Sequence, residues 1–180
     1  MRFAYADPPY IGQAKKHYSH DERCAEVDHT ALILELEGFD GFALSCKSNA
    51  QELAWLISLF TKPVRLGMWF KPFCSFKPGV NPAYAFEPVI FYSSRKRTRE
   101  QATVRDWIEV PAVKANITLR KGLAGAKPKE FCDWLFEILN MRQEDELIDM
   151  FPGSGAVTSA WEQFKGRRVY QPSSLFAVNE

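Results

Sequence analysis

Four residues near the start of the chain, Asp7-Pro8-Pro9-Tyr10, combine a carboxylate, a stiffened backbone and an aromatic ring. The two prolines fix the backbone, so the Asp7 carboxylate and the Pro8 carbonyl form two hydrogen-bond acceptors at a set separation. Such a pair matches the two hydrogens of an exocyclic amine, and the Tyr10 ring offers a flat apolar face for stacking. Binding both hydrogens favours a pyramidal nitrogen whose lone pair can attack an electrophile held in line. A plain proline turn is the alternative for these four residues taken alone.

A second stretch, ELIDMFPGSGAVTSAW, combines a carboxylate with a glycine turn. An apolar strand ends at Asp149, Gly153 and Gly155 follow, and the pattern then predicts a helix. Glycine permits a positive φ and close approach of a ligand to the backbone, and the start of a helix offers free N–H groups. Asp149 is placed to accept hydrogen bonds from the amine or hydroxyls of a ligand. No Lys-Ser/Thr follows the glycines and the full GxGxxG fingerprint is absent, so a ligand-free strand–helix connection is the alternative.

Short apolar strands alternate with helical patterns along the chain, which predicts an α/β fold with a mostly parallel sheet. Asp28 is expected to cap one helix, Ser48 has the spacing of a capping box, and Pro128 suits the first turn of a third helix. The predicted strands are 2–6, 41–46, 64–70, 88–93, 146–150 and 168–170, and the predicted helices are 28–36, 48–60, 128–139 and 155–164. Ligands of open α/β sheets bind beyond the carboxyl ends of the strands, so both candidate stretches are expected at that edge.

The composition is that of an ordinary globular protein, with 180 residues, 46% hydrophobic and 25% charged. This length suits a single domain spanning residues 1–180. No apolar run approaches the roughly 20 residues that cross a bilayer, and Pro8 interrupts the N-terminal run, so neither a membrane segment nor a signal peptide is expected. The four cysteines are scattered without a CxxC pair, which favours reduced thiols and a cytoplasmic location.

Basic residues are concentrated in two stretches, a distribution compatible with a polyanionic partner such as nucleic acid. Between positions 93 and 121 the chain has eight basic residues and only three acidic ones. The candidate nucleic-acid contacts are Lys15, Lys16, His17, Tyr18, Arg95, Lys96, Arg97 and Arg99. A solvated surface is the alternative for either stretch. His17, His20 and Cys24 have loose spacing and no evident fourth ligand, so no metal is predicted.

The two candidate stretches together resemble the amino-methyltransferases that use S-adenosylmethionine, in particular the DNA adenine-N6 group. The family's catalytic motif, Asp/Asn/Ser-Pro-Pro-aromatic, is matched by Asp7-Pro8-Pro9-Tyr10, and its cofactor motif, D-x-F-x-G-S-G, by DMFPGSG at 149–155. Lys127-Pro128 resembles a Lys-Pro element before the cofactor strand. FEPVI at 86–90 resembles a late strand of the family, and GFALSCKS resembles the strand after the catalytic motif.

The catalytic motif comes first and the cofactor motif last, which is similar to the permuted arrangement of the family's beta class. The resemblance therefore implies a Rossmann-like class I methyltransferase sheet in circularly permuted order, mostly parallel with one antiparallel strand. It implies methyl transfer to the N6 amine of adenine in DNA, with Asp7, Pro8, Pro9 and Tyr10 as the catalytic motif and S-adenosylmethionine as the cofactor. The cofactor-binding residues that it implies are Ala6, Asp7, Lys127, Pro128, Asp149, Phe151, Gly153, Ser154 and Gly155.

The sequence departs from the family in two regions. The acidic residue that usually holds the cofactor ribose is missing from GRRVYQPSSLFAVNE before Glu180, and only residues 93–125 occupy the place of a large target-recognition domain. Sequence recognition is therefore expected to be slight or to come from a second subunit, in a homodimer or with a different partner. Methylation of cytosine N4, methylation of a base in RNA, and a catalytically weak nucleic-acid-binding subunit are the alternatives to adenine in DNA.

Overall fold

The computed structural model describes residues 1–10, 27–72, 79–111 and 126–167, which form one six-stranded sheet with helices on both faces. The strands are β1 (Arg2–Ala6), β2 (Gly41–Ser45), β3 (Arg65–Phe70), β4 (Phe86–Ser93), β5 (Trp107–Glu109) and β6 (Glu146–Asp149). The helices are α1 (His29–Leu36), α2 (Ala50–Leu59), α3 (Lys129–Ile138) and α4 (Ala156–Lys165). The strand order is β5-β3-β4-β2-β1-β6, so β1 lies inside the sheet.

One strand of this sheet runs against the others. Strand β1 is parallel to β2 and β6, and β3 is parallel to β5, whereas β4 is antiparallel to both of its neighbours. The prediction of a mostly parallel sheet with one antiparallel strand is confirmed. The first strand of the chain and the last described strand lie side by side in the sheet, as the permuted order implies.

The buried core lies on both faces of the sheet. Successive side chains of β1 point to opposite faces, and those on both faces are apolar and buried. Phe3 and Tyr5 belong to the core formed with α3 and α4, whereas Ala4 and Ala6 belong to the core formed with α1 and α2. Helix α3 has an apolar stripe whose four residues are all buried, namely Phe131, Leu135, Phe136 and Leu139. Packing on both faces holds β1 in place, and it therefore fixes the position of Asp7, which follows the strand directly.

The helix starts follow the predicted cap residues with two corrections. Pro128, predicted in the first turn of α3, is instead the N-cap that precedes this turn. Asp28 accepts hydrogen bonds from two amides of the first turn of α1, as predicted. The cap of α2 is Asn49, which accepts from the Glu52 amide at 3.0 Å, and not Ser48. Asn49 has the extended backbone of a cap residue, so its side-chain oxygen reaches the amide three residues further on.

Two strands differ from the prediction. Strand β4 begins at Phe86, so Pro88 lies within the strand, where its carbonyl accepts from the Cys46 amide at 2.9 Å. Strand β5 has no predicted counterpart, because its three residues are too few to reveal an alternating pattern. The predicted strand 168–170 lies outside the described residues. Within the ranges that the structure describes, no helix is long and apolar enough to cross a membrane.

Candidate active site

The two candidate stretches lie at the same edge of the sheet. Strands β1 and β6 are parallel neighbours, and Tyr5 is the register partner of Asp149. The Met150 amide donates to the Tyr5 carbonyl at 2.9 Å, which extends the pairing to the ends of both strands. The chain therefore leaves β1 at Asp7 beside the place where it leaves β6. This arrangement matches the edge at which ligands of open α/β sheets bind.

The Asp7 carboxylate is the end of a chain of ion pairs that continues into the protein. Its Oδ2 atom lies 3.0 Å from the Lys127 Nζ atom, and the same Nζ lies 2.5 Å from Glu87 Oε1. The other oxygen of Glu87, Oε2, accepts from Lys71 Nζ at 2.8 Å. We call these four side chains, Asp7, Lys127, Glu87 and Lys71, the charged chain. Four separate segments of the sequence supply them: the end of β1, the start of α3, strand β4 and the end of β3.

The charged chain is largely shielded from solvent. The side chains of Glu87 and Lys127 are only 5% and 6% exposed, whereas that of Asp7 at the outer end is 27% exposed. Lys127 Nζ also lies 5.4 Å from the centre of the Trp69 ring and 5.6 Å from that of Phe131. Buried charges are tolerated only when each has a partner of opposite sign, and the alternation of carboxylates and ammoniums meets this requirement.

The charges in this chain shift one another's pKa values. Burial raises the pKa of Asp7, and the Glu87 carboxylate adds to the rise, whereas the Lys127 ammonium opposes it. Burial would also raise the pKa of Glu87, but the ammoniums of Lys127 and Lys71 outweigh it and lower that pKa to about 2. Burial disfavours the charged form of Lys127, yet Glu87 raises the pKa of this lysine above its usual range. Glu87 and Lys127 therefore stay charged at neutral pH, and Asp7 is the carboxylate whose ionised form is less favoured.

The rest of the catalytic candidate follows Asp7 directly. Pro8 is buried, and Pro9 and Tyr10 are half-buried. Burial raises the pKa of Tyr10, with the Glu87 carboxylate as a second cause. The phenol is therefore neutral at physiological pH and offers an aromatic face without charge.

Asp149, at the end of β6, has one carboxylate oxygen without a partner. Its Oδ2 atom accepts from Thr158 Oγ1 at 3.1 Å, but its Oδ1 atom is buried and accepts no hydrogen bond among the described residues. Burial raises the pKa of this carboxyl, and the Thr158 hydrogen bond offsets part of that rise. A buried acceptor without a donor is costly, and a ligand with an ammonium or hydroxyl donor would satisfy it.

The turn after Asp149 is built from glycines in the left-handed region. Gly153 has φ 45° and Gly155 has φ 73°, values that L-residues with a Cβ adopt only with strain. Gly155 is the N-cap of α4 and provides no side-chain cap, so this helix start relies on other groups to satisfy its amides. A helix N-terminus favours a negative group of a ligand, such as a carboxylate. The turn and Asp149 thus suit a ligand that carries both a carboxylate and hydrogen-bond donors.

The remaining cofactor candidates lie around the same edge. Ala6 is fully buried at the end of β1, and Pro128 is buried as the N-cap of α3. Phe151 is half-buried and packs on the core of α1 and α2, and Ser154 is exposed in the glycine turn.

The second basic stretch lies at the opposite edge of the sheet from Asp7. It follows Ser93, the last residue of β4, which pairs with Gly41 at the start of β2. Arg95 is bound within the fold, because its guanidinium donates to both oxygens of Asp145, at 2.5 and 2.7 Å. Arg97 donates to two main-chain carbonyls, whereas Lys96 and Arg99 are exposed. The structure therefore does not bring this stretch next to the catalytic candidate.

Two parts of the basic surface prediction lie outside the described residues. These are the first basic stretch, Lys15, Lys16, His17 and Tyr18, and the part of segment 93–125 beyond Pro111. Their proposed contacts with nucleic acid stay predictions.

Glu87 and Lys71 are site residues that the sequence reasoning did not assign. Glu87 stands between Phe86 and the apolar run PVIF, and a carboxylate inside such a strand requires a buried partner. Lys71 directly follows the strand end Trp69-Phe70. These positions could have indicated an ion pair, but a sequence alone does not say which charges meet.

Comparisons with known proteins identify the fold. No protein-family model matches the sequence, and no curated protein sequence matches it. Twenty-five chains of solved structures do match. One is M1.HpyAVI in complex with SAM, with 13% sequence identity and a TM-score of 0.58, covering 91% of this chain and 78% of that one. Another is M1.HpyAVI, with 12% identity and a TM-score of 0.52, covering 91% of this chain and 76% of that one. The chain therefore has the Rossmann-like fold of methyltransferases, in agreement with the resemblance of its motifs.

Proposed function

We propose that this chain transfers a methyl group from S-adenosylmethionine to the N6 amine of adenine in DNA. The observation that carries the proposal is the adjacency of Asp7 and the Asp149 turn at the carboxyl ends of two parallel strands. An enzyme of this kind needs an amine-binding group and a cofactor site side by side. The likeness in fold to M1.HpyAVI, whose complex with SAM is known, supports the use of the same cofactor.

The catalytic motif binds the target base in this proposal. Asp7 and the Pro8 carbonyl accept the two hydrogens of the amine and favour the pyramidal nitrogen that can attack, and Pro9 stiffens this geometry. The neutral Tyr10 ring stacks on the adenine and offsets part of the stacking that a base loses when it leaves a duplex. Asp7 need not accept the proton, because the methylated ammonium is acidic enough to release it to water.

The glycine turn and its neighbours would hold the cofactor. S-adenosylmethionine supplies an electrophilic methyl group on a sulfonium, and it carries an ammonium, hydroxyls and a carboxylate. Asp149 Oδ1 is a buried acceptor suited to one of the donors, and the start of α4 suits the carboxylate. The other residues assigned to this site are Ala6, Asp7, Lys127, Pro128, Phe151, Gly153, Ser154 and Gly155.

Basic residues outside the catalytic motif would contact the DNA backbone. The first basic stretch follows the motif directly in sequence and is the better placed of the two for this role, whereas Lys96 and Arg99 of the second stretch are exposed at the opposite edge of the sheet. Because segment 93–125 is small, a second subunit, either another copy or a different chain, would complete sequence recognition.

The proposal is tested with the variant Asp7→Ala and the control Asp106→Ala, whose carboxylate forms an exposed pair with Arg65. Asp7→Ala should fold, because Lys127 keeps Glu87 as its partner. We expect it to retain most of the stabilisation by S-adenosylmethionine in a thermal melt, because Asp149 and the glycine turn remain to hold the cofactor, and to lose methylation of DNA, while Asp106→Ala keeps both. Equal methylation by Asp7→Ala and the unaltered protein would overturn the role of Asp7. If S-adenosylmethionine does not stabilise even the unaltered protein, the cofactor assignment is wrong.

A further inference from the structure

We propose that Glu87 and Lys71 are positioning residues that hold the Asp7 carboxylate in its amine-binding orientation by acting through Lys127. The proposal rests on the proposed function of Asp7. Neither Glu87 nor Lys71 contacts Asp7 in the ion-pair geometry, since Lys127 lies between Glu87 and Asp7 and Lys71 contacts the far side of Glu87.

The rigid member of the charged chain is Glu87. It lies on β4, which pairs with β2 on one side and with β3 on the other, and its register partner on β3 is Trp69. Lys127 instead precedes α3 and has a long flexible side chain. The Lys127 ammonium is therefore placed by Glu87, at 2.5 Å, and by the rings of Trp69 and Phe131. A displaced Lys127 would no longer orient Asp7.

The geometry divides the two oxygens of Asp7 between two tasks. Lys127 holds Oδ2 at 3.0 Å, and the proposal assigns Oδ1 to the substrate amine. A carboxylate held at one oxygen cannot rotate freely, so its second oxygen is kept in place for the amine. Losing such a constraint costs reaction rate even when the substrate still binds.

Glu87 and Lys71 also act on Asp7 with opposite electrostatic signs. The charged groups that face Asp7 are Lys127, Glu87 and Lys71, and the neutral titratable groups near it are Tyr5, Tyr10 and Cys46. Glu87 raises the pKa of Asp7, whereas Lys71 lowers it. Replacing Glu87 by a neutral residue should therefore lower the pKa of Asp7, and replacing Lys71 should raise it. If the two side chains only stabilised the fold, their replacement would not shift the pKa of Asp7 in opposite directions.

The direct test is a titration of the Asp7 carboxyl by carbon NMR in the full chain. The variants are Glu87→Gln, Lys71→Met and the control Glu146→Gln, which removes an exposed pair with Arg2. We expect the pKa of Asp7 to fall in Glu87→Gln, to rise in Lys71→Met and to stay unchanged in the control. Shifts of the same sign in the two chain variants, or no shift in either, would overturn the proposal.

Methylation kinetics provide the second readout. In Glu87→Gln we expect kcat to fall about 10- to 100-fold with little change in the KM for S-adenosylmethionine. The acid limb of the pH–rate profile should move to lower pH in this variant and to higher pH in Lys71→Met. An unchanged kcat and unmoved acid limbs would contradict the positioning role.

The titration of Asp7 can be interpreted even if one variant does not fold or the protein shows no turnover. If Glu87→Gln does not fold, the variant Lys71→Met is sufficient for the test. The Lys71 side chain is partly exposed, so its replacement should be tolerated. The proposal requires the pKa of Asp7 to rise in this variant. The NMR titration does not depend on turnover. An unaltered protein that methylates no nucleic acid would therefore contradict the proposed function, while the Asp7 titration would still decide whether the charged chain controls Asp7.

Discussion

Tyr5 and Asp149 are register partners in the parallel pair of β1 and β6, although they belong to opposite ends of the chain. This pairing brings the amine-binding candidate and the glycine turn to one edge of the sheet. Neighbours in a sheet are decided by the pairing of strands and not by their order in sequence. A permuted chain can therefore assemble the same site as an unpermuted one.

Removing the unpartnered carboxylate at the end of β6 should weaken cofactor binding. In Asp149→Ala we expect the Kd for S-adenosylmethionine to rise about 10- to 100-fold, because one charge-assisted hydrogen bond is lost. Isothermal titration calorimetry measures this change. The matched control is Thr158→Val, which removes the donor to Oδ2 and leaves Oδ1 in place. Equal affinities of Asp149→Ala and the control would contradict the assignment.

The left-handed glycine of the turn can be tested against a matched glycine elsewhere. Gly155 and Gly79 have φ values of 73° and 75°, and an added Cβ at either one would meet no atom of the described residues within 4 Å. Alanine at either position should therefore destabilise the protein by about 1–2 kcal/mol through backbone strain alone. Denaturant unfolding measures this loss. Only Gly155→Ala should also weaken binding of S-adenosylmethionine, and a similar weakening in Gly79→Ala would argue against a ligand at the turn.

Tyr10 should act through its ring and not through its hydroxyl. Tyr10→Phe is expected to keep most of the methylation rate, whereas Tyr10→Ala should lower kcat/KM for DNA about tenfold or more, since stacking on a base is worth about 1–3 kcal/mol. Tyr84→Ala, at an exposed tyrosine of the described chain, is the control and should have no effect. Loss of activity in Tyr10→Phe would instead indicate a role for the hydroxyl.

The pair of Arg95 and Asp145 should stabilise the fold in a pH-dependent way. The Asp145 side chain is fully buried and accepts from Arg95 and from the N-terminal amine, which overcome burial and lower its pKa to about 2. The pKa is lower in the folded state, so this stabilisation is complete above about pH 4 and is lost as the pH falls towards 2.

Replacing Asp145 by a neutral residue should remove this pH-dependent stabilisation. Asp145→Asn should lower the free energy of unfolding at pH 7 by about 2 kcal/mol and weaken the decline between pH 4 and 2. Unfolding curves across this pH range, with Glu144→Gln as an exposed control, measure both changes. A decline as steep in Asp145→Asn as in the unaltered protein would show that other groups cause it.

Much of the fold could be predicted because its signals are local. The apolar run at 2–6, the cap at Asp28 and the buried stripe on α3 are each encoded within a few residues. Strand β5 could not be predicted, because it depends on pairing with β3 and has almost no pattern of its own. The family resemblance implied one antiparallel strand without saying which one, and the structure shows that it is β4.

The candidate site was only half predictable for a related reason. The motifs around Asp7 and Asp149 are contiguous in sequence, whereas the charged chain joins four separate segments. Arg95 is a residue for which the neighbouring sequence suggests a role that the fold does not support. It stands in a basic stretch that suggests solvent and nucleic acid, but the fold directs it to the buried Asp145.

Transfer of a labelled methyl group from S-adenosylmethionine to mixed-sequence DNA and, separately, to RNA, followed by mass analysis of the nucleosides, tests the proposed reaction and its substrate together. We expect N6-methyl-2′-deoxyadenosine from DNA with the unaltered protein and none with Asp7→Ala. Methylation only of cytosine N4 or only of RNA would contradict the proposed substrate. No methylated nucleoside from either polymer, despite clear binding of S-adenosylmethionine, would contradict the proposed reaction.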